Sequence, residues 1–310
     1  MDPVVAIGAM SVDDKGRALG GLIPGTSNPG TIRRSAGGVA RNVAEGLARL
    51  GVPTELISMV GDDETGRWLL EVTAEAEVDL SAVRVLRGER TASYLAVLDE
   101  DGAMMISIDD MEIVRRLGPE MLEESRDVIV EAAIVVVDAN LQPAALDTVL
   151  EMAHEVGIGV CAVPISVVLA PRLRDRLSYL GVLTANADEA ATLLGRASPV
   201  AGALEGIAAA KEMVEAGVEI CVVTLGRDGV SYATREGASG HLPAGEASVR
   251  DATGAGDALT AGLVYGLVTG MPLEEAVRAG IACATLSLGE VGPVASDLNP
   301  ERLRRAMQET

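Results

Sequence analysis

Basic residues are scarce in this chain of 310 residues. Lysine and arginine together number 25 against 46 acidic residues, which gives a formal net charge of -21. Only two of the basic residues are lysines, Lys15 and Lys211. Because nucleic acids and anionic membrane surfaces are bound through clusters of positive charge, the composition argues against both as partners.

Cysteine and histidine are too few and too scattered for the sites that they usually build. Cys161, Cys221 and Cys283 lie far apart in apolar stretches, a pattern typical of buried free thiols in a reducing compartment. His154 and His241 show no ligand spacing, so neither a histidine-rich metal site nor a Ser-His triad is expected. We find no signal-peptide pattern and no apolar run long enough to cross a bilayer. We therefore expect a cytoplasmic protein.

Apolar runs alternate with amphipathic segments along most of the chain, and 48% of the residues are hydrophobic. Runs such as VVAIGA, AAIVVVDA and EICVVTLG indicate buried strands, whereas NVAEGLARLG and PAALDTVLEMAHEV indicate helices. This alternation predicts a three-layer α/β fold with a mostly parallel central sheet covered by helices on both faces. The segment EASVRD, residues 246–251, is interpreted as a further strand.

Two segments interrupt the alternation. Residues 11–36 are polar and rich in glycine, and residues 88–112 contain two short alternating runs joined by EDG, which is a hairpin pattern. We interpret both as insertions that together form a small β-sheet lid on a single domain spanning residues 1–310.

The stretch VRDATGAGDALTAG, residues 249–262, places small residues directly before an acid at the start of an apolar helix. The amides of Ala255, Gly256 and Asp257 would lack intrahelical partners there and could hold a phosphate, which Gly254 allows to approach closely. Asp257 could then accept the proton of an attacking hydroxyl group. The alternative is an ordinary glycine-rich turn in which Asp257 interacts only with the helix dipole.

Two motifs carry a family resemblance. DATGAGD resembles the C-terminal signature of the ribokinase and phosphofructokinase-B family of carbohydrate and nucleoside kinases, and AGGVARNVAEGLARLG, residues 36–51, is similar to its N-terminal signature. Both motifs are long, and they lie in opposite halves of the chain, as in the family. The resemblance implies a ribokinase-like fold and phosphoryl transfer that depends on ATP and Mg²⁺. The chain contains no Walker A motif, so a P-loop enzyme is not expected.

The resemblance also implies which residues bind the phosphate and the sugar. Asp257 matches the catalytic base, and the three residues before it match the anion hole: Gly254, Ala255 and Gly256. Four residues match positions that bind the sugar: Asp13, Gly37, Gly38 and Asn42. Without the resemblance, Asp13 would read as part of a solvated turn and Asn42 as a helix cap.

Further matches concern the nucleotide and the cations. Four residues match positions near the nucleotide: Asn186, Thr224, Gly226 and Gly229. Glu189, on the same helix face as Asn186, matches an acid that holds Mg²⁺ through water. A capping box explains this pair equally well, and both interpretations can hold together. Asp251 and Thr253 match a monovalent cation site, such as a K⁺ site, that many members have.

Two stretches, residues 27–51 and 91–113, are most similar to pseudouridine kinases within the family. The resemblance therefore predicts ATP-dependent phosphorylation of the 5′-hydroxyl of pseudouridine. The same reaction on ribose, another sugar or another nucleoside is the nearest alternative. Val163, Ala185 and Ser11 depart from residues common in the family, and they bear on the substrate more than on phosphoryl transfer.

A nucleoside needs more polar contacts than a free sugar, because the edge of its base must be matched by donors and acceptors. We expect Ser93 and Asp110 in the lid to make such contacts, together with Asn140 after the strand AAIVVVDA. Asn28 and Asp109 are further candidates.

Other classes of protein fit less well. A non-catalytic ligand sensor on this fold should have lost Asp257 or the glycines before it. A nicotinamide-dependent oxidoreductase should carry GxGxxG after its first strand, and GAMSVDDKG lacks that spacing. Because lid strands with exposed edges often pair across a two-fold axis, we expect a homodimer formed through the lid.

Overall fold

In the computed structural model, which describes residues 1–290 and 292–309, eight strands form one large sheet. Across the sheet they are ordered β14 (Ser239–Leu242), β13 (Val230–Thr234), β12 (Ile220–Thr224), β11 (Val182–Asn186), β10 (Val160–Val163), β9 (Ile134–Asp138), β1 (Val4–Ile7) and β4 (Thr54–Ile57). The strands from β12 to β4 run parallel, and β13 and β14 extend the sheet as an antiparallel pair.

Helices cover both faces of this sheet. The α-helices of the described residues are α1 (Val39–Arg49), α2 (Glu64–Ala74), α3 (Pro119–Glu124), α4 (Arg126–Val130), α5 (Pro143–Val156), α6 (Ala187–Leu193), α7 (Gly202–Glu215), α8 (Ala255–Val268), α9 (Leu273–Leu288) and α10 (Pro300–Glu309). Short 3₁₀ helices span Glu112–Arg116, Ala170–Tyr179 and Gly226–Asp228. None of the helices among the described residues is both long and apolar enough to cross a membrane.

Alternate residues of the central strands face two different hydrophobic clusters. Val135 and Val137 of β9 belong to the cluster that includes side chains of α3 to α7. Ile134 and Val136 belong to the cluster that includes side chains of α1, α8 and α9. Since side chains of a strand point alternately to its two faces, both faces of the sheet are buried. The predicted three-layer α/β fold with a mostly parallel sheet is confirmed.

A separate four-stranded sheet has the order β3-β2-β7-β8. Its strands are β2 (Ser11–Ala18), β3 (Gly30–Gly37), β7 (Ala92–Leu98) and β8 (Met104–Asp110). The polar, glycine-rich segment thus forms the strands β2 and β3, and the hairpin predicted around EDG is β7 and β8. A two-stranded parallel sheet, β5 (Met59–Gly61) and β6 (Arg84–Leu86), was not anticipated from the sequence.

One face of the four-stranded sheet is turned toward the large sheet. Asp13 is paired with Tyr94, and Tyr94 with Asp109, so their side chains share a face. Lys15, two residues after Asp13, lies on the same face. Its side chain contacts Asp251, which lies four residues before the first residue of α8. We call this face the inner face.

The opposite, outer face carries the other half of the side chains. Val12 is paired with Ser93, and Ser93 with Asp110. By the same register, four exposed apolar side chains lie on this face: Ile32, Leu95, Ile106 and Ile108.

The prediction of a strand in EASVRD is wrong. Residues 246–250 are exposed and have no strand structure. The amide of Arg250 donates to the carbonyl oxygen of Leu288 at the end of α9 rather than to a neighbouring strand. The chain therefore enters α8 from an irregular segment.

Candidate functional site

The candidate site lies where the order of the large sheet reverses. From β1 the chain continues to β4 on one side, and from β9 it continues through β10, β11 and β12 on the other. In open α/β sheets, ligands bind outside the carboxyl ends of the strands at such a point. The residues matched to the family motifs follow the carboxyl ends of these strands or begin the adjacent helices.

Asp138, the last residue of β9, holds this region together. Its carboxylate accepts hydrogen bonds from the amides of Ala9 (2.8 Å), Ala40 (3.2 Å) and Asn140 (2.9 Å). It thereby joins the segments after β1 and β9 to the first turn of α1. Asp138 is fully buried, and burial raises the pKa of its carboxyl group.

Asn140, a predicted substrate-binding residue, is partly engaged in this arrangement. Besides its amide, its side chain forms a hydrogen bond with Asp138. Its carbonyl oxygen accepts a hydrogen bond from Arg172 at 2.9 Å. A substrate contact from the Asn140 side chain would have to compete with Asp138.

Asp257 is the third residue of α8 and is buried among other acids. Its Oδ2 accepts a hydrogen bond from Nδ2 of Asn42 at 2.8 Å. Burial raises the pKa of Asp257 to about 7, the Asn42 hydrogen bond opposes the rise, and the charges of Asp138, Asp13 and Glu189 add to it. A carboxylate whose pKa lies near neutrality is suited to act as a general base.

Asn42 does not cap a helix, so that interpretation of its role is wrong. Gly38 is the N-cap of α1, and Asn42 lies one turn further on. Its Oδ1 accepts a hydrogen bond from Nη1 of Arg41 at 3.1 Å, which leaves its amide N–H groups to donate to Asp257. Arg41 is itself buried and paired with Glu45 at 2.5 Å.

Sequence reasoning missed Arg41 as a residue that fixes the orientation of Asn42. The available signal was the sequence ARNVAE, in which an arginine and a glutamate four residues apart adjoin a predicted apolar helix face.

The start of α8 has the geometry of an anion-binding site. Gly254, its N-cap, has φ +80°, and a Cβ there would lie 2.3 Å from Cβ of Pro293, so only glycine fits. Gly256 has open space where its Cβ would be. The first amides of an α-helix have no intrahelical acceptor, so those of Gly256 and Asp257 can bind a phosphate. The Ala255 amide donates a long hydrogen bond, 3.5 Å, to the carbonyl oxygen of Ala252.

Asp13 lies in β2, is buried, and is not part of a solvated turn. Burial raises its pKa, and Ser11 donates a hydrogen bond to its Oδ1 at 3.2 Å. Gly37 makes room for it, because a Cβ there would lie 2.2 Å from Oδ1 of Asp13. Gly38 has φ +94°, and a Cβ there would lie 2.3 Å from the carbonyl oxygen of Ala9. Both glycines let the start of α1 approach Asp13 and the end of β1.

Two predicted nucleotide residues lie side by side at the carboxyl ends of neighbouring strands. Asn186 of β11 is paired with Thr224 of β12. Asn186 and Glu189 form the predicted capping box: Oδ1 of Asn186 accepts from the Glu189 amide, and Oε2 of Glu189 accepts from the Asn186 amide, each at 2.9 Å.

These residues fit a hydrated Mg²⁺ better than a directly liganded one. Glu189 is buried, and burial raises its pKa. Among the described residues, no group of three or more His, Cys, Asp or Glu side chains is arranged to hold a metal ion. Mg²⁺ commonly keeps several waters and binds one or two carboxylates together with substrate phosphates.

The two glycines after β12 differ in what surrounds them. Gly226 begins the 3₁₀ turn Gly226–Asp228 and has open space around it. A Cβ on Gly229 would lie 2.1 Å from the carbonyl oxygen of Leu242. Close packing against β14 therefore accounts for Gly229, whereas Gly226 remains accessible at the carboxyl end of the sheet.

Asp251 and Thr253 do not fit the K⁺ site that the resemblance implies. Oδ2 of Asp251 is 2.6 Å from Nζ of Lys15, and its Oδ1 accepts from the Thr253 amide at 2.9 Å. Partial burial raises the pKa of Asp251, but the hydrogen bonds from Lys15 and Thr253 outweigh it and lower the pKa overall. Both carboxylate oxygens are engaged, and an ammonium group supplies the positive charge.

The strand register of the small sheet places the residues predicted to contact the base on two different faces. Ser93 and Asp110 lie on the outer face, away from Asp13, so their predicted contacts with the substrate do not fit the structure. Asp109 shares the inner face with Asp13, as does Tyr94, which sequence reasoning missed. Asn28 is half-buried, and its side chain forms hydrogen bonds with the backbone of Ile23 within its own loop.

Comparison with known proteins agrees with the predicted family and fold. The model of the "pfkB family carbohydrate kinase" family matches residues 1–300. A pseudouridine kinase of Escherichia coli (strain K12) is 37% identical over 287 residues, covering 93% of this chain and 90% of that protein. The uncharacterized sugar kinase YeiI of the same organism is 33% identical over 283 residues, covering 91% and 77%.

A solved structure shows the same fold. The E. coli structure described as a putative ribokinase II in complex with ATP and Mg²⁺ superimposes with a TM-score of 0.85 at 20% identity, covering 100% of both chains.

Proposed function

Because the chain belongs to the pfkB family of carbohydrate kinases, we propose that it transfers the γ-phosphate of ATP to the 5′-hydroxyl of pseudouridine. The products are pseudouridine 5′-phosphate and ADP. The observation that carries the proposal is the buried Asp257, held by Asn42 beside the open N-terminus of α8. The acceptor rests on the 37% identity to the E. coli pseudouridine kinase.

In the proposed mechanism, Asp13 binds hydroxyl groups of the ribose and directs the 5′-hydroxyl toward Asp257. Asp257 accepts the hydroxyl proton as the oxygen forms its bond to the γ-phosphorus. The bond between that phosphorus and the bridging oxygen of the β-phosphate breaks, and ADP leaves with the bonding electron pair. The amides at the start of α8 stabilise the charge on the transferring group.

The nucleotide would lie along the carboxyl ends of β11 and β12, near Asn186, Thr224 and Gly226. Mg²⁺ bound with ATP would neutralise phosphate charge, and Glu189 and Asn186 would hold it through water. Asp257 returns its proton to solvent after the product leaves.

The first test is an assay of ADP release with Mg-ATP and each of pseudouridine, uridine, ribose and fructose, with the product identified by mass. We expect turnover on pseudouridine well above that on uridine. Turnover on ribose or fructose alone would refute pseudouridine as the acceptor, and it would leave the proposed phosphoryl transfer by Asp257 in place. That alternative is favoured by the identity to the sugar kinase YeiI.

We further propose that the inner face of the small sheet reads the nucleobase, through Asp109 and Tyr94. A carboxylate there can accept hydrogen bonds from ring N–H groups, and pseudouridine presents one more of these than uridine. Asp109→Ala should raise KM for pseudouridine by about tenfold or more, since a lost hydrogen bond from a charged partner is worth roughly 1.5–3 kcal/mol.

Asp110→Ala is the matched control, because Asp110 is the next residue and lies on the outer face. Steady-state kinetics of both variants should show a changed KM only for Asp109→Ala. An equal effect of the two substitutions, or a larger one at Asp110, would contradict the assignment of the inner face.

We propose that the outer face joins two copies of this chain. Its exposed apolar side chains, with Leu95 46% and Ile108 64% exposed, would be covered by the same face of a second copy. Sedimentation equilibrium should therefore give twice the monomer mass. The double variant Ile106→Lys, Ile108→Lys should give the monomer mass; a wild-type monomer at micromolar concentration would refute the dimer.

A further inference from the structure

An ion pair joins the small sheet to the segment that leads into α8. Lys15 lies on β2, and its Nζ is 2.6 Å from Oδ2 of Asp251. The two residues are 236 positions apart in the sequence. Their side chains are 12% and 20% exposed, so the pair is largely shielded from solvent and from screening by salt.

The position of Asp251 makes this contact important. Its other oxygen, Oδ1, accepts from the amide of Thr253, and Gly254 follows directly as the N-cap of α8. The carboxylate of Asp251 therefore fixes the turn from which the open amides of α8 are presented. An uncompensated charge on Asp251 would disturb that turn.

Acidic side chains predominate around the site, and its buried guanidinium, that of Arg41, is paired with Glu45. Three acidic residues lie close enough to Asp257 for their charges to raise its pKa: Asp138, Asp13 and Glu189. A nucleotide adds further negative charge. A positive charge supplied by the protein beside Asp251 thus offsets repulsion at the place where the transferred phosphate would lie.

The choice of lysine at position 15 is informative in this chain. Only two of its 25 basic residues are lysines, and the other, Lys211, is exposed on α7. An ammonium group is a compact point charge, whereas a guanidinium group is planar and needs a broad set of acceptors. In size and charge, the ammonium group is the side chain that most resembles a monovalent metal ion.

We propose that Lys15 is a built-in cation that takes the place of a bound monovalent ion beside Asp251. It holds the segment 251–254 in its conformation and couples that segment to the small sheet. The enzyme therefore needs no K⁺. The catalytic part of this inference rests on the proposed function, but the cation part concerns the folded protein and can be measured without turnover.

The experiment compares wild type, Lys15→Met and Lys211→Met in KCl and in tetramethylammonium chloride at equal ionic strength. Thermal unfolding, ADP affinity and kinase activity are measured in each salt. Methionine keeps a flexible apolar side chain at position 15 and removes the ammonium group with its charge and N–H donors, and Lys211→Met controls for loss of a lysine elsewhere.

We expect wild type and Lys211→Met to behave alike in both salts. In tetramethylammonium, Lys15→Met should lose about tenfold or more in ADP affinity and turnover, since removing one partner leaves a charge partly buried and unpaired. K⁺ should restore part of the ADP affinity and of the turnover of Lys15→Met. It should raise the melting temperature of Lys15→Met but not that of wild type or Lys211→Met.

Two results would overturn the proposal. One is a wild-type protein whose stability, ADP affinity or turnover itself depends on K⁺. The other is a Lys15→Met protein that K⁺ does not affect in any of the three measurements. If wild type turns over no acceptor, the proposed function fails, while thermal unfolding and ADP binding still decide the role of Lys15.

Discussion

Asp257→Asn should lower kcat by about 10²–10⁴-fold, the range that a positioned general base contributes. The KM for the nucleoside should change little, because the asparagine side chain would keep the shape of the aspartate and could still accept the hydrogen bond from Asn42. Steady-state kinetics and calorimetric titration of the nucleoside measure the two effects separately. A variant that binds the nucleoside and retains full turnover would refute the role of Asp257.

The same substitution should make the protein more stable. Asp257 is buried, and the charges of Asp138, Asp13 and Glu189 further raise its pKa, so its ionised form is disfavoured in the folded state. An uncharged amide removes that repulsion. A higher melting temperature together with lost activity would separate a catalytic defect from misfolding.

The pH dependence follows from the same pKa. Because Asp257 accepts a proton only when ionised, kcat/KM should fall as the pH drops through about 7. Stability should change with pH in the opposite direction to activity, as far as Asp257 contributes to it. Its pKa is raised from 3.8 to about 7 on folding, so the folded state binds more protons in that window and stability decreases as pH rises through it.

The variant Asp257→Asn provides the control for both effects of pH. Its melting temperature should depend less on pH between about 4 and 7 than that of wild type. An acid limb of kcat/KM near pH ~4 in wild type would contradict a base with a pKa near neutrality.

Gly256→Ala should lower kcat by about 10²–10³-fold, comparable to the loss of one donor of an oxyanion hole. A methyl group at Gly256 would enter the open space at the start of α8, where the phosphate would approach. The fold itself should tolerate it, since Gly256 lies within the helix; alanine at a compatible position stabilises a protein by roughly 0.4–1 kcal/mol.

Gly254→Ala is the contrasting variant. Its backbone has φ +80°, and the new methyl group would collide with Pro293. It should destabilise the protein by at least about 1–2 kcal/mol, the cost of a left-handed conformation for a residue with a Cβ. Thermal unfolding and kinetics of the two variants should therefore diverge: Gly256→Ala should fold normally with a strongly lowered kcat, and Gly254→Ala should be unstable. Full activity of Gly256→Ala would contradict the anion hole.

Much of the fold was predictable from the sequence because its signals are local. Strands such as β9 are continuous apolar runs buried on both faces, and helices such as α5 show apolar residues at helical spacing. The hairpin of β7 and β8 follows from two alternating runs joined by EDG. The prediction of a strand in EASVRD was wrong because a strand forms only beside a neighbouring strand, which the sequence pattern does not specify.

The candidate site was predictable only where its residues are contiguous. DATGAGD and AGGVARN are short motifs, and their glycines, Asp257 and Asn42 could be singled out from them. That Asn42 donates to Asp257 across 215 positions, with its orientation set by Arg41, required the packing of α1 against α8. The pKa of Asp257 likewise depends on burial and on acids brought together by folding.

The sequence by itself determined the α/β fold, the two motifs and the identity of the candidate base, because each depends on residues close together in the chain. Tertiary structure alone decided that Lys15 meets Asp251 and that Asp109, rather than Asp110, shares the face of Asp13. Side chains of a strand alternate with a period of two, so a difference of one residue moves a carboxylate to the opposite face of the sheet. Strand pairing between distant segments decides which face of the small sheet is turned toward the site. A local sequence pattern cannot predict it.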